Sequence, residues 1–196
     1  MSLIDQEAVQ ATLEAFEPAI LAVVHGAWQE FKQLPLTAPL EFARTRACFV
    51  QDIMVRLAKA QFADEPRVRT IIRDETVKFV FDDKVLVRFK KADASGLGSN
   101  ITTQAIMQFV DQQRELPGIP DVYKVEVLYH LNRLQTQIEH VMVVARDGDR
   151  QLWEYAIAGK DTAQAVMFPV VQDDSQRGAK VKIRKPDAAN EKKQSE

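Results

Sequence analysis

One cysteine and three histidines are all the thiol and imidazole ligands that this chain of 196 residues offers, and the scarcity excludes a good deal. Cys48 alone cannot close an intrachain disulfide, so the fold must hold by its core, and a reducing, cytoplasmic setting is expected. His25, His130 and His140 have neither H-E-x-x-H nor H-x-x-E-H spacing, and no cysteine pair accompanies them. No metal ligand and no cofactor is therefore expected. Ser95 and Ser99 lie in a loop without a neighbouring base, and G-x-S-x-G is missing, so no catalytic nucleophile stands out. No apolar run approaches the roughly 18 residues of a membrane span. The start, MSLIDQEAVQ, is acidic and polar, unlike a secretory signal. Net charge is only −2, so attraction to a polyanion has to come from a local patch.

What is present is ordinary globular material: 46% hydrophobic and 28% charged residues, enough to bury a sizeable core. From Ile4 to Lys32, Val9, Leu13, Phe16, Ile20, Val23, Val24, Trp28 and Phe31 recur at helical spacing. Pro18 interrupts that pattern, which predicts a kink or a break into two helices. A further helix is expected from Leu40 to Phe62, with Cys48 as a small buried residue on it. Together these read as an antiparallel helical hairpin.

At Glu65-Pro66 the period changes. RVRTIIR (67–73) reads as a short extended segment, and TVKFVF (76–81) and KVLVRFKK (84–91) as paired strands with Asp82-Asp83 as the turn. The loop ADASGLGSN follows, then a helix over 102–114 that Ser99, Asn100 or Thr102 would cap, stopped by Leu116-Pro-Gly-Ile-Pro120. Tyr123–Leu131, Ile138–Arg146 and Arg150–Ile157 form a β-meander, and Asp147-Gly148-Asp149 is the strongest hairpin signal in the chain. The segment after Ala158 is ambiguous, with a short helix over 161–167 as one reading, and from about Gln172 a disordered charged tail is expected. The expected fold is α+β: an N-terminal helical region (1–66), then an antiparallel sheet of about five strands with one inserted helix (67–170), as a single globular unit with a tail (171–196).

Three constellations bear on function. Gly96-Leu97-Gly98-Ser99-Asn100 ahead of a helix resembles a phosphate cradle in outline, but matches neither G-x-x-x-x-G-K-[ST] nor G-x-G-x-x-G. Arg88, Lys90 and Lys91 form a run free of acids until Asp93, and with Ser99, Asn100, Thr102 and Gln104 they define a candidate surface for a partner or a phosphate. The layout of Asp82 or Asp83, Arg88-Phe89-Lys90 and Gln104 resembles a restriction-nuclease core with its acidic residue, E-x-K strand and glutamine-bearing helix. Arg88 stands where that core needs a carboxylate, and an arginine repels the divalent ion. The resemblance thus implies a nucleic-acid-binding module with a decayed catalytic core. The tail segment Arg177–Lys185 adds five basic residues without an acid.

A second resemblance spans Phe79 to Ile157. An F-K-K strand end, S-N before T-x-x-A, L-P-x-x-P, an L-N-x-x-x-T-x-I turn and a closing W-x-Y-x-I resemble bacterial proteins of phage-like and mobile-element regions, often encoded beside ImmA/IrrE-type metallopeptidases. That resemblance implies a protein partner in a regulatory or toxin–antitoxin pair. It carries no catalytic residue onto this chain. The leading expectation is a non-enzymatic interaction protein, with nucleic-acid binding as the alternative and no role at a membrane.

Overall fold

The computed structural model describes residues 5–35, 40–73, 76–99, 103–114 and 121–158. All of them belong to one compact unit, residues 1–163. The candidate helix at 161–167, the tail with its basic segment and the Leu116–Pro120 stop lie outside the described residues.

Three helices come first. The Asp5 carboxylate accepts the amides of Glu7 and Ala8 and so starts α1 (Gln6–Leu13). The chain then breaks, and Pro18 falls in the opening turn of α2 (Glu17–Gln33), where its missing N–H costs nothing. Of the two outcomes expected from Pro18, the break is the one found. α3 (Ala43–Gln61) is shorter at its start than its apolar pattern suggested, and it packs against α2. Cys48 is exposed on it, contrary to expectation. The buried stripe of α3 is Val50, Ile53, Met54 and Ala58, and position 48 lies off it.

Six strands form one sheet in chain order: β1 (Val68–Arg73), β2 (Thr76–Phe81), β3 (Val85–Lys91), β4 (Tyr123–Leu131), β5 (Ile138–Asp147) and β6 (Arg150–Ala156). Between β3 and β4 runs the crossover that carries α4 (Gln104–Val110), and this connection makes β3 and β4 parallel. The sheet is therefore mixed, not wholly antiparallel as its hairpins suggested, and it has six strands where about five were expected. No helix among the described residues is long and apolar enough to cross a membrane.

The pleat sorts side chains onto two unlike faces. Phe79, Phe81, Val85, Val87, Phe89, Val125, Val127, Tyr129, Val141 and Val143 meet α1–α3 in the main core. Among the described residues, α4 and the loop after β3 cover the opposite face. There Val80 and Leu86 pack on Phe109 and Val110, and Ala92 and Leu97 pack on Leu128 and Val144. Between these two small clusters lie charged side chains, and it is on this side that the candidate site forms.

Candidate functional site

Arg88, Glu126 and Arg146 occur in the apolar settings VLVRF, VEVL and VVAR, at the phase that points away from the helical core. The parallel register sets Arg88 directly against Glu126. Both Nε, at 2.8 Å, and Nη2 of Arg88 donate to Glu126 Oε1. Arg146 Nη1 lies 3.7 Å from Glu126 Oε2. All three side chains are buried, Glu126 completely. The Arg88 guanidinium also lies 4.3 Å above the centroid of the Phe109 ring. Burial draws the Arg88 guanidinium down from its ordinary value, and the Glu126 carboxylate opposes that shift.

The glycine-bearing loop closes over this group. Ala92 and Gly98 bridge, and the Ser99 amide donates to the Lys91 carbonyl at 2.9 Å, so the segment turns back on the end of β3. Asp93 organises it by accepting the Ser95 amide (2.8 Å), the Ser95 hydroxyl (2.6 Å) and the Leu97 amide (3.3 Å) on one oxygen. Burial works to raise the Asp93 carboxyl, but these bonds outweigh it and hold the group below its usual value. The Gly98 amide then donates to Glu126 Oε2 at 3.2 Å. The stretch that outwardly resembled a phosphate cradle spends that donor on an internal carboxylate.

The arrangement continues to the β5–β6 turn. Arg146 Nε donates to the Gly148 carbonyl at 2.7 Å, and its Nη2 reaches Asp149 at 3.0 Å. Gly148, at φ 58, supplies the left-handed residue of this turn, and its amide donates to the Val110 carbonyl at 3.0 Å. Gln112 Nε2 bonds the carbonyls of Lys124 (2.9 Å) and Arg146 (2.7 Å), while Lys124 Nζ caps the end of α4 at the Asp111 and Arg114 carbonyls. The loop, α4 and the turn are thereby fixed to one another.

Their outer surfaces bound an open cleft of about 840 Å³. Leu97, Ile106, Met107 and Val110 supply its apolar wall, Met107 being 50% exposed. Asp93, Asp111, Asp147 and Asp149 line it with carboxylates, and Arg146 is the one cation lining it among the described residues. Four aspartates against one arginine leave three negative charges in this cleft, more than the −2 of the entire chain.

The residues singled out from the sequence are dispersed. Arg88 points inward and is buried; Lys90 follows it on the same face by the alternation of the strand, and Lys91 falls on the other face. Both lysines are half-buried, and burial draws both below their ordinary values. Ser99 and Gln104 are exposed, while Asn100 and Thr102 lie outside the described residues. The cap of α4 is Thr103, whose hydroxyl accepts the Ile106 amide at 3.3 Å, and not one of the three residues proposed for it. At the far end of β3, Asp82 and Asp83 form the hairpin turn and pair with Arg67 and Arg69. Arg67 stacks over Phe16 on the helical side, so Asp82 and Arg88 serve opposite faces of the sheet. The nuclease-like grouping of Asp82, Asp83, Arg88 and Lys90 does not converge. His130 and His140 do stand opposite each other on β4 and β5.

Part of the mobile-element-like motif has a purely architectural explanation. The Asn132 side chain accepts the amides of Thr136 (2.8 Å) and Gln137 (3.4 Å), and Gln135 sits at φ 54. L-N-x-x-x-T-x-I is thus the wiring of the β4–β5 turn. No family model, no curated protein and no solved structure matches this chain.

Proposed function

We propose that this protein is a non-enzymatic interaction protein, an antitoxin-like or regulatory partner of a neighbouring protein in a mobile-element system. The observation that carries the reading is the cleft: a rigidly braced, open surface on which Met107 is exposed and Ile106 half-exposed beside carboxylates. Apolar area left in water next to fixed polar groups favours a macromolecular contact. The inward commitment of Arg88 to Glu126 removes the first member of the basic run that a nucleic-acid reading would use. The excess of carboxylates over cations in the cleft opposes a phosphate backbone there.

Co-expression with the products of the flanking genes, followed by affinity capture and sedimentation, tests the proposal. A stoichiometric complex with one of them is the expected result. A chain that binds none of them removes the reading.

A further inference from the structure

We infer that the cleft between the 93–98 loop, α4 and the β5–β6 turn is the docking site for a basic, aliphatic segment of a partner protein. Such a segment presents lysine or arginine side chains beside branched apolar ones. The inference rests on the reading as an interaction protein and says which surface is used and what chemistry it takes.

Charge complementarity makes the choice. The lining carries a net three negative charges while the whole chain carries −2, so the remainder of the molecule is close to neutral and the acidity is concentrated here. Asp147 and Asp149 are exposed at the turn, and Asp93 is exposed too although one of its oxygens is committed to its own loop. The single lining cation, Arg146, is spent on Glu126, Gly148 and Asp149 and adds little outward positive field. An acidic partner would meet like charge at this rim, and such juxtapositions select against wrong partners. Charge alone would also suit a free polyamine. The Met107 and Ile106 side chains, one exposed and one half-buried, add an apolar wall that a polyamine leaves wet and a leucine or valine side chain covers.

The cleft also has little freedom to remodel. Gln112 ties α4 to β4 and β5, Gly148 ties the turn to Val110, and Asp93 fixes the loop. A preformed site spares the ordering cost that weakens binding to mobile surfaces.

The test uses the full chain and a fluorescein-labelled peptide of alternating lysine and leucine as the probe. Peptides with glutamate for lysine, or serine for leucine, are its controls, and spermidine is the competitor. The lysine–leucine peptide is expected to bind with an affinity that falls as salt is added, and at least about tenfold more tightly than either control. Asp147→Asn combined with Asp149→Asn keeps the side-chain acceptors and should weaken binding by about tenfold or more. Met107→Ser, an exposed change, should weaken it by about threefold or more without altering the salt slope. Equal binding by the double aspartate variant, equal binding of the glutamate peptide, or complete displacement by spermidine at the peptide's own concentration overturns the assignment. So does a free chain that dimerises in sedimentation and is dissociated by the peptide, because the cleft then belongs to a second copy. Capture of a gene-neighbour product that survives the double aspartate change sinks the site and leaves the interaction reading standing. Peptide binding without any neighbour complex does the reverse.

Discussion

The amide of Gly98 donates to Glu126 Oε2 at 3.2 Å, and a Cβ added to Gly98 would stand 2.6 Å from that same oxygen. The carboxylate cannot swing aside, because Arg88 holds its other oxygen and the whole group is buried. Gly98→Ala should therefore destabilise the protein by about 2 kcal/mol, through overpacking against a fixed neighbour. Gly148→Ala is the comparison: it is strained by φ 58, but nothing lies within 4 Å of the added carbon. Its cost should be about 1 kcal/mol. Urea unfolding of the two variants decides the matter, and equal losses would mean that the carboxylate yields.

Two guanidinium groups share one buried carboxylate, so the consequences of removing a member depend on which one is lost. Glu126→Gln leaves Arg88 and Arg146 facing each other without the charge that holds them, and should cost about 3 to 5 kcal/mol. Arg88→Met leaves Glu126 with Arg146 at 3.7 Å and with the Gly98 amide at 3.2 Å, so its loss should be smaller. Chemical denaturation gives the order directly. A larger loss for Arg88→Met would show that stacking on Phe109, and not the charge balance, dominates at this site.

How much of this could be read from residues alone follows from which interactions are local. The break at Pro18, the strand phases and the Asp147-Gly148-Asp149 turn depend on neighbours in the chain, and each was legible. The six-residue alternation in β3 also placed Val85, Val87 and Phe89 correctly on one face. It gave no sign that Arg88 faces a covered surface, because that depends on a parallel partner some 38 positions away. Charged residues at inward phase in three apolar strands were the available clue. Read together, Arg88, Glu126 and Arg146 balance as a set, whereas Arg88 read alone looked like a surface cation. The cleft was illegible for the same reason: its carboxylates come from one loop, the end of one helix and one hairpin turn. Cys48 went astray because the stripe of α3 is narrow and position 48 falls just outside it.

The β2–β3 hairpin predicts a specific acid sensitivity. Asp82 and Asp83 take φ 49 and 53, and the Lys84 amide closes the turn on the Phe81 carbonyl at 2.9 Å. Arg67 grips Asp82 through Nε at 2.7 Å and Nη2 at 2.6 Å, and this pairing holds the Asp82 carboxyl below its usual value. A carboxylate with a depressed folded pKa stabilises fully above its unfolded value, near 3.9, and loses that contribution as pH falls through the folded value. Stability from this pair should thus be complete above about pH 5 and fade below about pH 4. Asp82→Asn tolerates the left-handed turn and should remove this part of the acid dependence, at a cost of about 1 kcal/mol or less at neutral pH. Carboxyl titration by NMR in the parent chain provides the direct check, and an Asp82 value at or above the unfolded one would refute the pairing.

His130 sets a second pH dependence at higher pH. It stands opposite His140, its Nε2 is buried without a hydrogen-bond partner, and burial is the largest cause that lowers its pKa. The His140 ring lowers it further, while Glu154, Glu139 and Asp93 pull the other way. A histidine depressed in the fold is neutral there while the unfolded chain takes up a proton. Its contribution is complete above the unfolded value near 6.5 and is lost as pH falls through the folded value. Midpoints of urea unfolding should accordingly drop between about pH 7.5 and about pH 5.5 in the parent protein. His130→Phe fills the same half-buried strand position without an orphaned nitrogen, and should flatten that drop without loss of stability at the upper pH. His140→Asn removes only the lesser cause, so most of the slope should remain. If His140→Asn abolishes the slope instead, repulsion across the strands, and not burial, governs His130.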